Sequence, residues 1–355
     1  MGCQTKTVVV AAVDHGSQRD YHTNVVEKAP INLTSVQNTP LCTVCSSENM
    51  AKRAVYGSYN LYACRRCGHH QCHPLPSSDE LSRFYEESYY TASPERPYNA
   101  DPRFVEKRYR KMSEIIKGLD PPVRSLYEFG CSSGHGLKQL QLAGFKVTGI
   151  EAAGNFAEHA RNKLGLDVDH GMSLPANRHH QFDCGLSLHV IEHIPEPRGH
   201  LNDLLKVIRP GGWLVIATPN SAFWPVRLSR MWNWLQPMHH LQIFSPESMK
   251  LLLEQAGLAE VKVRTFVDCP EHNHLANVIA DTLKYGPYRL PDLPDALLKK
   301  RLAAERTFLT RVRYRLGHDS GEALKALSFP LYNLLRLVFP SWRESILAIA
   351  RQRSE

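Results

Sequence analysis

Four cysteines fall into two pairs, Cys42-x-x-Cys45 and Cys64-x-x-Cys67, separated by eighteen residues. Thiolates at that spacing surround one tetrahedral ion, and the pattern is that of a zinc ribbon. Four thiolates leave no open coordination position, so the role predicted for Zn2+ is structural. A segment of about fifty residues buries too little surface to be secure alone, and zinc contributes roughly 10–16 kcal/mol to the folding of such peptides. His69, His70, Cys72 and His73 crowd the same stretch, but the four-cysteine set needs no help from them.

A second constellation begins at Leu126-Tyr127-Glu128-Phe129-Gly130-Cys131-Ser132-Ser133-Gly134-His135-Gly136, an apolar strand running into a glycine-bearing turn and then a helix. Glycine has no Cβ and accepts positive φ, so such a turn lets the backbone pass close to a ligand. Fifteen residues after Gly136, Glu151 ends the run Val147-Thr148-Gly149-Ile150. A carboxylate on the tip of that neighbouring strand can accept both hydroxyl protons of a ribose. Strand, glycine turn, helix, strand and acid together make a nucleoside-binding unit.

Histidines offer proton transfer near neutral pH, the chemistry needed to activate a hydroxyl or an acidic carbon. His189 opens His189-Val190-Ile191-Glu192-His193-Ile194-Pro195 just past an apolar strand and is the first candidate base. His193, in a turn before Pro195, reads as structural. His239 and His240 open His239-His240-Leu241-Gln242-Ile243-Phe244-Ser245, where they either serve chemistry or fix the loop. Ser245 reads as the N-cap of a helix over Pro246–Ala256, with proline at its first position and Gly257 after its end.

The elements that must position these groups alternate in type. Strands are expected over Val123–Phe129, Lys146–Glu151, Leu166–His170, Phe182–Leu188, Trp213–Thr218 and Ser345–Arg351, with helices around Phe104–Lys117, Leu137–Ala143, Asn155–Leu164 and Leu201–Ile208. That alternation means βαβ units and a mostly parallel α/β sheet covered on both faces. Residues 1–39 read as a tail, 40–95 as the zinc module and 96–355 as the larger domain, with a helical insertion over about 270–342 before the last strand. An aromatic segment, Phe223 to Trp234, can form a lid or acceptor wall. No apolar run reaches the ~18 residues of a membrane span, and a cytoplasmic protein is expected. The net charge of +8 and pI near 9.0 are a mild basic excess. Seven basic residues and one acid between Lys299 and Arg315, with the apolar stretch Leu331–Phe339, allow peripheral contact with an anionic membrane.

With Phe182-Asp183, His189 to Pro195, Arg209-Pro210-Gly211-Gly212-Trp213 and Thr218-Pro219-Asn220 in this order, the chain resembles the class I S-adenosylmethionine-dependent methyltransferases, in the methyltransferase-23-like and ubiquinone-pathway-like group. The resemblance covers roughly Leu126 to Gly257. It implies a Rossmann-like seven-stranded sheet and S-adenosyl-L-methionine as cofactor, with methyl transfer to a small-molecule, sugar or lipid-linked acceptor through oxygen or carbon. It implies further that Glu128, Gly130, Ser132 and Gly134 line the methionine end of the cofactor, Glu151 holds its ribose, and Met172, beside Gly171 and Ser173, lines the adenine, with Leu188 completing the pocket. Ser132 stands where the commonest pattern has glycine. An RNA-modifying methyltransferase and a non-catalytic cofactor-binding scaffold are the alternatives; the sequence does not specify the acceptor or the oligomeric state.

Overall fold

Runs such as Lys146–Glu151 and Phe182–Leu188 are apolar on both sides, as strands covered on both faces must be. They form the centre of a seven-stranded sheet in the computed structural model, which describes residues 39–56, 59–77, 79–81, 102–223, 240–268, 319–339 and 343–354. The described part lies in one unit, Thr39–Glu355. Its elements are β1 (Met50–Tyr56), β2 (Tyr59–Cys64), β3 (His70–His73), α1 (Pro102–Lys117), β4 (Ser125–Phe129), α2 (His135–Leu142), β5 (Lys146–Glu151), α3 (Gly154–Asn162) and β6 (Asp167–His170). They continue with β7 (Phe182–Leu188), α4 (Pro197–Val207), β8 (Ile208–Pro219), β9 (Gln242–Ile243), α5 (Pro246–Gln255), β10 (Ala259–Phe266), α6 (Asp319–Val338) and β11 (Ser345–Arg351).

The large sheet has the order β10-β11-β8-β7-β4-β5-β6. β6, β5, β4, β7 and β8 run parallel, whereas β11 is antiparallel to both β8 and β10. Alternate residues supply the two cores: Tyr127 and Phe129 pack with α4 and α5 residues such as Leu204 and Leu252. Leu126 packs on the other face with Met112 and Ile116 of α1 and Leu137 of α2. Strand order reverses at β4, which has β5 on one side and β7 on the other. Their carboxyl ends therefore open a crevice there, the place where open α/β sheets bind ligands.

The cysteine-rich segment is not a separate appendage. Its strands β1, β2 and β3 form an antiparallel sheet that β9 completes, pairing His70 with Ile243 and Gln71 with Gln242. Gln242 fixes the seam. Its Oε1 accepts from Thr43 Oγ1 at 2.9 Å and faces His69 Nε2 at 2.7 Å, and its Nε2 donates to the Pro195 carbonyl at 2.9 Å. Ser245 Oγ donates to the Cys67 carbonyl at 2.8 Å, Ser221 Oγ to the Gly68 carbonyl at 2.9 Å, and Arg198 to the Val44 carbonyl. The expected N-terminal cysteine module thus has a structural partner, because ladder and side-chain bonds tie it to the domain of the large sheet.

Ser245 caps α5 as expected, accepting from the Ser248 amide at 3.0 Å while Ser248 Oγ accepts from the Ser245 amide at 2.8 Å. α6 falls in the expected helical insertion. It buries Tyr332 and Arg336 and exposes Leu331, Leu334, Leu337 and Val338. The N-terminal tail, most of the aromatic segment after Phe223, His239 and the basic run Lys299–Arg315 lie outside the described residues. Among the described residues no helix is long and apolar enough to cross a membrane.

Removing the Gln242 side chain takes from the buried His69 its shortest polar contact, and loss of a partner at a buried polar group costs about 1–3 kcal/mol. Gln242→Ala is expected to lower unfolding stability by about that amount in urea titrations. Zinc is expected on the four cysteines, and its chelation should raise amide exchange over Leu241–Phe244 before it reaches β4 or β5.

Candidate cofactor and acceptor site

At the end of β4 the chain turns through Gly130 (φ +68°), Ser132 (φ +51°) and Gly134 (φ +82°) before α2 begins. Only glycine takes such angles cheaply; for serine the left-handed region costs roughly 1–2 kcal/mol. The Ser132 conformation is held by a charged partner, since its amide donates to Glu151 Oε2 at 2.7 Å. Glu151 Oε1 accepts from the Ala153 amide at 2.9 Å. Burial raises the Glu151 carboxyl above its ordinary range, and these amides oppose the rise.

Glu128 is buried, and Tyr109 of α1 donates to its Oε1 at 2.6 Å. Burial pushes its acid up to about 8, with the Tyr109 hydrogen bond acting against the rise and nearby Glu151 adding to it. Its Oε2, Ser132 Oγ and Ser133 Oγ are buried without a hydrogen-bond partner. Three orphaned polar atoms within six residues, beside a carboxylate held by amides, fit the ammonium, carboxylate and ribose of the expected cofactor. The Tyr109 ring closes this loop from above and occupies the space a Cβ on Gly136 would need. No sequence motif points to Tyr109, because its role comes from α1 folding back over the loop. Met172 follows β6 and is 52% exposed, and Leu188 is buried at the end of β7. Gly171 of the same loop donates its amide to the Glu151 carbonyl at 2.9 Å, which places that loop beside Glu151.

His189 follows β7 in a left-handed conformation (φ +56°) that a non-glycine residue keeps only where its surroundings dictate it. Its Nε2 lies 2.9 Å from Asp268 Oδ2, and its Nδ1 lies 3.3 Å from Glu192 Oε1. Asp268, just past β10, is also gripped by Arg108 of α1 through two bonds at 3.0 and 2.5 Å. Burial and Arg108 press the His189 pKa down, but Asp268 and Glu192 carry it up to about 9. Burial alone would raise the Asp268 acid, yet Arg108 and His189 hold it well below the usual range. Asp268 and Arg108 were not legible in the sequence: they stand 160 residues apart, and neither belongs to a motif.

Glu192 is fully buried in the short 3-10 turn Ile191–His193, with Thr218 Oγ1 donating to its Oε2 at 3.0 Å. Burial opposes its ionisation, but His189, His193 and His240 hold its acid at about 2. His193 and His240 stack edge to face with ring centres 4.9 Å apart. Two of the expected histidines, His189 and His240, thus flank one buried carboxylate, and His193 joins them.

The cysteine set is also assembled. Cys42, Cys45, Cys64 and Cys67 are buried, with Cys42 and Cys67 sulfurs 3.6 Å apart and Cys45 and Cys64 sulfurs 3.5 Å apart. A zinc tetrahedron with ~2.3 Å bonds to sulfur has edges of ~3.8 Å, so the four residues suit that ion.

One steric contact joins the two halves of the site. A Cβ on Gly130 would meet Val190 Cγ2 at 2.5 Å, whereas Gly165, with a similar φ of +64°, has open space there. Gly165→Ala should therefore cost only the backbone strain, about 1–2 kcal/mol. Gly130→Ala should cost a further ~1–3 kcal/mol from overpacking. Urea denaturation of the two variants checks this, and equal losses would contradict the contact.

Residues 103–263 match the methyltransferase domain family Methyltransf_23. Among curated proteins, the ubiquinone biosynthesis O-methyltransferase of Dinoroseobacter shibae is 28% identical over 173 residues, 45% of this chain and 68% of that protein. The enzyme of the same name from Caulobacter vibrioides is 29% identical over 144 residues, 36% of this chain and 57% of that protein. The chain thus spans little more than half of the second relative. Of solved structures, an S-adenosylmethionine-dependent methyltransferase from Archaeoglobus fulgidus is similar at 17% identity and a TM-score of 0.44, covering 75% of this chain and 100% of that one. The seven-stranded sheet, the glycine loop with its acid and the family match over residues 103–263 together support a class I S-adenosylmethionine-dependent methyltransferase domain.

Proposed function

We propose that the protein transfers a methyl group from S-adenosylmethionine to a hydroxyl oxygen of a small-molecule or lipid-linked acceptor. The observation that carries this reading is the set of orphaned buried atoms, Glu128 Oε2, Ser132 Oγ and Ser133 Oγ, in the same loop whose Ser132 amide is held by Glu151. The cofactor supplies a methyl group on a sulfonium, which an oxygen nucleophile displaces in line. Alignment of donor and acceptor is then the main task of the protein and is worth on the order of 7–11 kcal/mol. Glu128 and Glu151 orient the donor from the β4 and β5 ends. His189 and His240 face the acceptor from the β7 end and from β9.

His189 has a carboxylate at each ring nitrogen, a geometry that suits positioning of Glu192 better than removal of a proton. His240, half-buried beside His193, is the better placed of the two for contact with the acceptor. The ribbon, with zinc on Cys42, Cys45, Cys64 and Cys67, sets the backbone of that loop: the Cys72 amide donates to the Leu241 carbonyl at 2.9 Å and the Cys72 thiol to the His240 carbonyl at 3.5 Å.

A lipid-linked acceptor is favoured by α6, where Leu334 and Leu337 are 58% and 73% exposed. An amphipathic helix of this kind rests on a lipid surface.

Transfer of a labelled methyl group to phenolic, sugar and polyprenyl-linked hydroxyl compounds tests the reading. Product is expected with at least one oxygen acceptor, and His240→Ala should lower kcat by about 10²- to 10⁴-fold with cofactor affinity retained. Methylation confined to RNA or to nitrogen acceptors would contradict it. Flotation with anionic vesicles tests the helix: the wild type should float, and Leu334→Asp with Leu337→Asp should remain with the soluble fraction.

A further inference from the structure

Glu192, His193 and His240 each place one ligand atom so that all three lie within 4.8 Å of one another. His193 Nε2 is 4.0 Å from Glu192 Oε1. Metal bonds of ~2.0–2.2 Å to nitrogen or oxygen span up to ~4.4 Å across one ion, so small ring rotations close the set. One oxygen of the carboxylate is suited to a ligand role. Its Oε2 is satisfied by Thr218, while Oε1, fully buried, accepts no hydrogen bond of good geometry although His189 Nδ1 stands 3.3 Å away. An unsatisfied buried oxygen is costly and calls for a partner.

The backbone around these groups is already fixed. The Leu241 amide donates to the Glu192 carbonyl at 2.8 Å, which ties the β9 loop to the 3-10 turn, and the ribbon holds β9 from its other edge. His189 is set behind Glu192 and is itself oriented by Asp268 and Arg108. Outer partners of this type orient metal ligands and tune them. Val190, two residues before Glu192, touches Gly130 of the cofactor loop, so the cluster borders the place where the methyl group is delivered.

We propose that Glu192, His193 and His240 bind a divalent transition cation of the zinc, manganese or cobalt class, separate from the ion of the four-cysteine ribbon. Two imidazoles and one carboxylate suit such ions and leave coordination positions open. An acceptor hydroxyl ligated there loses its proton to solvent more readily. The oxygen–carbon bond then forms as the sulfur–carbon bond breaks, and sulfur keeps the electron pair of the leaving thioether. That catalytic part rests on the methyl-transfer reading; binding of the cation does not.

Cobalt(II) titration of the zinc-loaded full chain, with no methyl donor present, is the test. One equivalent is expected to give weak visible bands without the intense near-ultraviolet thiolate band that displacement of ribbon zinc would produce. His193→Ala and His240→Ala should each weaken that binding at least tenfold while S-adenosylhomocysteine still binds as in the wild type, which verifies their fold. Absence of the weak bands up to millimolar cobalt, a thiolate band alone, or weak bands that survive both substitutions would overturn the proposal. Because S-adenosylhomocysteine is titrated separately, failure of the metal site and failure of the methyltransferase reading give different results.

Discussion

The absence of a side chain at Gly130 sets the distance between the two working halves of this molecule. β4 delivers the glycine loop and β7 delivers His189 to His193, and these strands are neighbours where the sheet order reverses. Val190 fills the space that a Cβ on Gly130 would occupy. The turn that bears Glu192 is thereby seated against the turn that bears Ser132. Both turns hold a non-glycine residue at positive φ, Ser132 and His189, and both residues are kept there by carboxylates, Glu151 and the Asp268–Glu192 pair. Local backbone strain at the site is thus offset by hydrogen bonds to the carboxylates of Glu151 and Asp268, with Glu192 adding a charge contact three residues from His189.

The second constraint is the seam between β3 and β9. A two-residue strand has little stability by itself, and here it gains it from the ribbon on one side and, on the other, from the Leu241 amide donating to the Glu192 carbonyl and Gln242 Nε2 donating to the Pro195 carbonyl. Ser245 links the two by capping α5 while donating to the carbonyl of Cys67, one of the four thiolate residues. The four-cysteine segment in this way fixes the backbone of the loop that bears His240. The arrangement gives the four-cysteine segment a role in a domain whose seven-stranded core has its own two apolar faces.

The sequence was most legible where function and burial act locally. The bounds of β5, β7 and β11 follow from continuous apolar runs, the start of α5 from Ser245 and Pro246, and Glu128 to Gly134 with Glu151 from a strand–turn–strand pattern that the fold brings to one crevice. It was least legible where pairing is distant. β9 is too short to show a period, and β10 alternates charged and apolar residues as an edge strand does but lies beyond the last recognisable motif, at Gly257. Tyr109, Arg108 and Asp268 act only through tertiary contacts, α1 over the cofactor loop and the end of β10 over β7. The fusion of the ribbon with the domain was hidden for the same reason, since edge pairing between residues 70–71 and 242–243 leaves no mark in either segment.

Calorimetric titration of the zinc-loaded protein with S-adenosylmethionine and S-adenosylhomocysteine, repeated on Glu151→Ala, tests the central claim most directly. Both ligands should bind the wild type, and loss of the charge-assisted bonds from the ribose should weaken the variant by about 1.5–3 kcal/mol, at least tenfold. Failure of both ligands to bind folded, zinc-loaded protein, or equal affinity in the variant, would contradict the assignment of this crevice as the cofactor site.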